Sequence, residues 1–256
     1  MRDLLAAKLA STQARELAQF SDEALKVAKA AWPGALTLVL PLRGGARVAG
    51  AVTAGLQTIA LRCPAHPVMR ALLERTGLPL AAPSANRSEA VSPTSAAHVR
   101  ETLDGRVPVI LDGGECVRGI ESTILALRED GRWDELRPGP VDVAALHRQI
   151  TGRDWVRRTG SDTIEAPGQS ARHYSPGKPI RLNARNAAEG EFLIGFGSVK
   201  GDATLSDDGD LAEAGAQLYA TLHAAAASPK PRIAIARIPA EGIGIAINDR
   251  LRRAAS

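Results

Sequence analysis

Aromatic residues are scarce in this 256-residue chain: Phe, Trp and Tyr together make up 3%. Single-stranded nucleic acid held by base stacking needs exposed rings, so that class of function is disfavoured. There are two cysteines, Cys63 and Cys116, far apart and outside any CxxC pair. A disulfide framework is therefore excluded, and a reducing cytoplasm is the expected setting. Cys63 with His66 makes a metal half-site without a second close pair. No apolar run reaches the ~20 residues needed to span a bilayer. The phosphate loop GxxxxGK[ST] and the GxSxG nucleophile elbow are both missing. "GFGSVKG" (195–201) has the wrong spacing for a dinucleotide fingerprint. Ser84, His98 and Asp112 could form a hydrolase triad, but no spacing supports one. Neither sign of charge is lacking: 32 basic against 28 acidic residues leave +4, a mild bias compatible with a polyanionic partner.

What the chain does have is an alternation of strand-like and helix-like segments. "MRDLLAAKLASTQARELAQF" reads as a plain amphipathic helix, with Asp3 and Glu16 arguing against a transit peptide. A second helix follows over 21–30 with Ser21 as cap, and "WPG" stops it. Strands are expected at 36–42, 58–62, 78–82, in "VPVILDGG" (107–114) and at 121–128; helices at 67–76, closed by Gly77, and at 94–102. "RPGPVDVAALHRQI" closes this first α/β domain at about residue 150. Residues 151–179, rich in Gly, Pro and charge, read as a linker. From 180 to 256, three strand-like runs and the periodic "DLAEAGAQLYATLHAAAA" predict a second, small α/β domain.

Polar residues gather where strands end. "APSANRSEAVSPT" (82–94) places serines, an asparagine and a threonine around Pro83 and Pro93, directly after a strand. Strand ends are where α/β sheets collect ligand-binding groups; a polar turn ending in a helix cap reads equally from composition. Arg62 ends "TIALR" before a Pro-flanked loop, where a fixed guanidinium can grip a carboxylate or phosphate, or make a surface ion pair. In "GIESTI", Ser122 and Thr123 follow Gly119, so amides and hydroxyls could converge on an anion, or merely turn into a strand.

Taken in order, "WPGALTLVLP", "IALRCPAHP", "LAAPSANRSEAVSPTSAAHV", "GIESTILAL", "LRPGPV" and "APGQSARHYSPGKP" resemble the threonylcarbamoyl-adenylate synthases. These form the YrdC-like family, here in its longer form with a C-terminal domain. The resemblance implies an α/β fold: a YrdC-like mixed twisted sheet with helices, plus a Rossmann-like C-terminal α/β domain. It implies a nucleotidyltransferase that joins L-threonine, bicarbonate and ATP, releasing pyrophosphate. Mg2+ would accompany ATP, tRNA or other RNA (double-stranded RNA included) could be contacted, and downstream proteins would transfer the threonylcarbamoyl group to tRNA. By motif, Arg62, Ser84 and Ser122 would contact threonine. Thr58, Asn86, Thr94 and Arg137 would line the ATP site, and Tyr174 would cover it from a lid at 168–179. No residue is assigned as nucleophile. The rival reading is a noncatalytic nucleotide- or RNA-binding remnant of the same family.

Two departures accompany the resemblance. Family members carry a "PTETVYGL"-like strand and a "KxR" loop before the first helix; this sequence carries neither and is expected to be N-terminally shortened. After "PG", where the family has a basic and aromatic pair, this chain has "QSAR".

Overall fold

The computed structural model describes residues 6–8, 11–157 and 173–256. In chain order they form β1 (Ala6–Lys8), α1 (Ser11–Leu17), α2 (Asp22–Ala31), β2 (Leu36–Pro41), α3 (Gly50–Thr53), β3 (Thr58–Arg62), α4 (Pro67–Thr76), β4 (Leu80–Ala82) and α5 (Ala96–Leu103). There follow β5 (Thr123–Leu127), β6 (Trp133–Arg137), α6 (Val143–Thr151), β7 (Ile180–Ala184), β8 (Glu191–Gly195), β9 (Ala203–Thr204), α7 (Leu211–Ala227), β10 (Arg232–Ala236) and α8 (Gly244–Ala254). They divide into two compact units that are not consecutive in sequence. One holds Met1–Pro83 with Ser122–Ser170, the other Ser84–Glu121 with Ala171–Ser256.

The first unit is built on a six-stranded mixed sheet in the order β4-β1-β3-β2-β5-β6. The period of two in β2, β3 and β5 sorts their side chains onto two faces. Leu36, Leu38, Leu40, Ile59, Leu61, Leu125 and Leu127 join Ala14, Leu17, Ala24, Val27, Val143 and Leu146 of α1, α2 and α6 in the main core. Each fully buried leucine contributes about 1.5 to 3 kcal/mol. The opposite face carries the smaller Val39, Ala60, Ile124 and Ala126.

Local signals explain the helix ends. Ser21 Oγ accepts from the Ala24 amide at 3.1 Å, and Asp22 and Glu23 occupy the positive first turn of α2. Pro67 opens α4, and Gly77 closes it in the left-handed conformation at φ 62°.

Two expectations are corrected. The opening segment is not one amphipathic helix. Residues 6–8 are a strand, pairing parallel with β3 through Ala7 and Leu61 and antiparallel with β4 through Ala6 and Ala82. Two strand edges that would otherwise lack partners outweigh the helical preference of Ala and Lys. The apolar run 107–114 forms no strand, and Val109 and Leu111 are 70% and 59% exposed. An apolar run becomes a strand only beside a ladder partner. This run has none among the described residues, and Asp112 Oδ1 bends it by accepting from the Gly114 amide at 2.9 Å.

The second unit holds an all-parallel sheet in the order β7-β10-β8-β9. Ile194, Ile233 and Ile235 pack against Leu218, Tyr219 and Leu222 of α7 and Ile247 and Leu251 of α8. Asp210 caps α7 by accepting from the Ala212 and Glu213 amides, and Lys178 Nζ closes its other end on the Ala225 and Ser228 carbonyls at 2.9 and 2.6 Å. Val91 and Ile120 belong to the same core, so the 84–121 segment packs with strands that follow it by a hundred residues. Gly119 shows how closely: at φ 65°, a Cβ there would meet the Gly215 and Ala216 carbonyl oxygens at 2.3 Å. Among the described residues no helix is long and apolar enough to cross a membrane.

Candidate functional site

In the first unit, the face opposite the main core collects polar side chains. Thr58, Ala60 and Arg62 alternate onto it along β3, over a floor of Val39, Ala60, Ile124 and Ala126. Thr58 and Arg62 sit at the two ends of β3, roughly 13 Å apart along the strand. The site residues expected here therefore span a strip rather than one point.

Arg62 is held at its base. Its Nε donates to the Gly34 carbonyl at 3.0 Å, and the Gly34 amide donates to the Cys63 carbonyl at 2.8 Å. A Cβ on Gly34 would meet the Ala31 carbonyl oxygen at 2.2 Å, so the "WPG" stop is also the clamp on Arg62. Cys63 is buried and His66 exposed, and among the described residues no three His, Cys, Asp or Glu side chains cluster as a metal site.

Toward the same end of the sheet as Arg62, where the β2–β3, β2–β5 and β5–β6 registers place it, lies a buried hydroxyl and guanidinium group. Ser122 Oγ lies 2.8 Å from Thr37 Oγ1. Arg137 donates through Nη2 to Ser122 Oγ at 3.2 Å, and through Nε and Nη2 to the Ser122 carbonyl at 3.1 and 3.0 Å. Thr37, Ser122 and Arg137 are 1%, 4% and 7% exposed, so these bonds act where water does not compete. Thr123 Oγ1 accepts from the Val141 amide at 2.9 Å, which ties the "RPGPV" loop to the start of β5. Thr37 was not among the sequence-derived site residues. A single hydroxyl inside the apolar "LTLVLP" was the signal that could have found it.

The remaining expected residues lie in the second unit. Ser84 is exposed. Asn86 Nδ2 donates to the Arg87 and Ala90 carbonyls at 3.0 and 2.9 Å, which fixes the amide and leaves Oδ1 as a buried acceptor without a hydrogen-bond partner. Thr94 is buried; its carbonyl accepts from the Cys116 amide at 2.8 Å, and its amide and hydroxyl lie 3.3 Å from His98 Nδ1. The His98 ring stacks on His223 at 3.8 Å between centroids. Burial, then the neighbouring His98, push the His223 pKa down. His98 and Asp112 thus make local contacts, with Thr94 and His223 and with the Gly114 amide respectively.

Tyr174 departs from the expectation of a lid residue. It is 0% exposed, at φ 67°, with its ring 5.4 Å from that of Tyr219 and the Arg250 guanidinium 5.5 Å from its centre. An aromatic ring buried on all sides is core. Arg172 and the rest of "QSAR" lie outside the described residues.

Beside it runs a polar network that the sequence reading missed. The Glu121 carboxylate accepts from Ser92 Oγ at 2.6 Å, Tyr219 Oη at 2.9 Å and Arg250 Nε at 3.0 Å. Burial first, then the Glu121 charge, push the Tyr219 phenol well above its ordinary value, so it remains a hydrogen-bond donor.

Comparison with known proteins agrees with this architecture. The Sua5/YciO/YrdC family, described as "Telomere recombination", matches residues 4–139, and "Threonylcarbamoyl-AMP synthase, C-terminal domain" matches residues 141–256. A threonylcarbamoyl-AMP synthase of Pyrococcus abyssi is 34% identical over 92% of this chain and 74% of its own length. One from Bacillus subtilis is 43% identical over 63% of this chain, and the match covers 46% of that protein. The crystal structure of P. abyssi Sua5 complexed with L-threonine matches with a TM-score of 0.87 at 33% identity, covering 99% of this chain and 80% of that one. With both halves matched in order and this likeness over most of its length, the chain belongs to the threonylcarbamoyl-AMP synthase family.

Proposed function

We propose that this protein is a threonylcarbamoyl-AMP synthase: a nucleotidyltransferase that forms threonylcarbamoyl-AMP and pyrophosphate from L-threonine, bicarbonate and ATP. The observation that carries the reading is the likeness, over 99% of this chain, to a relative crystallised with L-threonine. That likeness favours the synthase over a binding remnant. The division into a catalytic part ending near residue 150, a connection to 179 and a C-terminal domain from 180 belongs to the same proposal.

In this reading Arg62 pairs with the threonine carboxylate, and Ser84 and Ser122 hold the amino acid. The threonine nitrogen attacks the bicarbonate carbon, water leaves, and the resulting carbamate oxygen attacks the α-phosphorus as pyrophosphate departs. Carbamate and mixed anhydride are both lost readily to water, so orientation and a dry site would do most of the catalysis, with no protein nucleophile. Thr58, Asn86, Thr94 and Arg137 serve ATP, and Tyr174 does so through the segment it anchors. Two features support the assignment. The fixed guanidinium of Arg137 suits phosphate charge, and the buried Asn86 Oδ1 is the acceptor an adenine amino group requires.

Hydroxyls, one amide and guanidinium groups do not make a protein-held magnesium site, since a hard divalent cation prefers carboxylates. Mg2+ would come with the phosphates of ATP. The proposal also includes RNA contact, proteins that transfer the product to tRNA, and a cytoplasmic setting that keeps Cys63 and Cys116 reduced. The test is pyrophosphate release by purified protein. Release that needs both threonine and bicarbonate is expected; ATP turnover indifferent to threonine would overturn the reading.

A further inference from the structure

We propose that Thr37 is a positioning residue for threonine, acting through Ser122: its hydroxyl donates to Ser122 Oγ and so leaves the Ser122 proton for an oxygen of the substrate carboxylate. The proposal rests on the reading of Ser122 as a threonine contact. Thr37, Arg62, Ser122 and Arg137 all belong to the first unit.

Hydrogen-bond accounting sets the direction, because a hydroxyl has one proton to give and two lone pairs that accept. Ser122 Oγ accepts from Arg137 Nη2 at 3.2 Å, which takes one lone pair, and lies 2.8 Å from Thr37 Oγ1. On distance alone either oxygen could donate across that contact. Thr37 is 1% exposed, however, and Ser122 Oγ is the one acceptor its hydroxyl meets among the described residues. Were Ser122 the donor, the Thr37 proton would be buried without an acceptor, a costly arrangement that folded proteins avoid. Thr37 therefore donates. Both Ser122 lone pairs are then filled, and the Ser122 proton is committed to neither neighbour. A hydroxyl in that state recognises an acceptor, so it suits a carboxylate oxygen and not an ammonium.

Strand register brings the other carboxylate anchor to the same place. β2 and β3 pair antiparallel with Leu38 opposite Leu61, so the next step outward sets Thr37 opposite Arg62. Residues so paired share a face, with Cβ atoms about 5 Å apart. Since β2 lies between β3 and β5, Thr37 stands between Arg62, which ends β3, and Ser122, which precedes β5. A charged donor and a neutral one are thus available for the two oxygens of one carboxylate. The Thr37 bond, shielded from water, fixes the Ser122 rotation that keeps the neutral donor aimed.

The test is calorimetry of threonine and of ATP on the whole chain, beside melting temperature. Thr37→Val keeps the shape and removes the hydroxyl; threonine affinity should fall about fivefold, with ATP affinity held within about twofold. Thr37→Ser loses the methyl but returns the donor, and should bring threonine affinity back to within about twofold of wild type. Packing alone would predict the reverse order, with Ser the poorer substitute. In a Ser122→Ala background Thr37→Val should have no further effect, because the route to the substrate is already cut. Thr37→Val that binds threonine like the wild type overturns the proposal, as do equal loss of both ligands and full additivity with Ser122→Ala. Should Thr37→Val not fold, Thr37→Ala removes the same hydroxyl in a smaller volume and is read in the same way. Ser122→Ala that binds threonine like the wild type sinks the reading of Ser122 itself, and the positioning role with it.

Discussion

The carbonyl oxygen of Gly34 accepts a hydrogen bond from Arg62 Nε at 3.0 Å, fixing one corner of a guanidinium at the end of β3. If that group pairs with the threonine carboxylate, Arg62→Ala should weaken threonine by about 2 to 3 kcal/mol and leave ATP nearly unaffected. Arg62→Lys should recover only part, because an ammonium keeps the charge without the fork. Calorimetry with each ligand decides; equal weakening of both would mean the assignment is wrong.

Gly139 tests the packing beneath the same site. A Cβ there would meet the Thr123 amide nitrogen at 2.3 Å and the Ser122 carbonyl carbon at 2.7 Å, both backbone atoms with little room to give. Gly139→Ala should destabilise by about 1 to 3 kcal/mol. Gly44 has nothing within 4 Å of the corresponding position, so Gly44→Ala should change stability by no more than about 0.5 kcal/mol. Denaturant melts of the two variants give the contrast, and equal midpoints would refute it.

Tyr174→Ala opens a cavity among Tyr219, Leu218 and their neighbours. The expected loss is about 3 to 5 kcal/mol. Tyr174→Phe keeps the ring and most of the stability. A lid residue would behave otherwise, slowing turnover while leaving the melting temperature unchanged. Melting temperature beside rate per folded molecule separates the two roles.

Glu191 gives a pH dependence. Hydrogen bonds from Arg181, then the Ala188 amide, hold its carboxyl down at about 2 against an ordinary value of 4.5, with burial opposing them. A folded pKa below the unfolded one adds stability above the unfolded value and loses it as pH falls through the folded one. Glu191→Gln should therefore melt roughly a few degrees below wild type near neutral pH. The gap should narrow below about pH 4.5 and close near pH 2. A gap of constant width over that range would exclude this origin.

Strands β2, β3 and β5 and the helices α2, α4 and α7 were legible because each carries its own signal: a period of two, a Ser or Asp cap, a closing Gly. Residues 6–8 and 107–114 were misread because pairing decides them, and pairing is set by strands distant in sequence. The site divides the same way. Arg62 and Ser122 stood out as polar residues at strand ends, Arg137 only through the family resemblance, and the structure joins Ser122 to Arg137 directly. Glu121, Tyr219 and Arg250 carried no local mark: a glutamate before a strand, and a tyrosine and an arginine on amphipathic helices, become a network only when residues 98 and 129 positions apart are folded together.

The interleaving of the two units also sets a timetable for synthesis. A ribosome adding about 5 to 20 residues per second completes the 84–121 segment on the order of ten seconds before α8 emerges. Through that interval Val91 and Ile120 await the α7 and α8 residues that will bury them, Leu218 and Leu251 among them. The nascent chain thus holds an apolar, half-finished segment between two stretches of the first unit, and a chaperone able to shelter it would serve this protein most during about the second half of translation. A gene cut between the two sequence domains would leave that segment permanently without its partner.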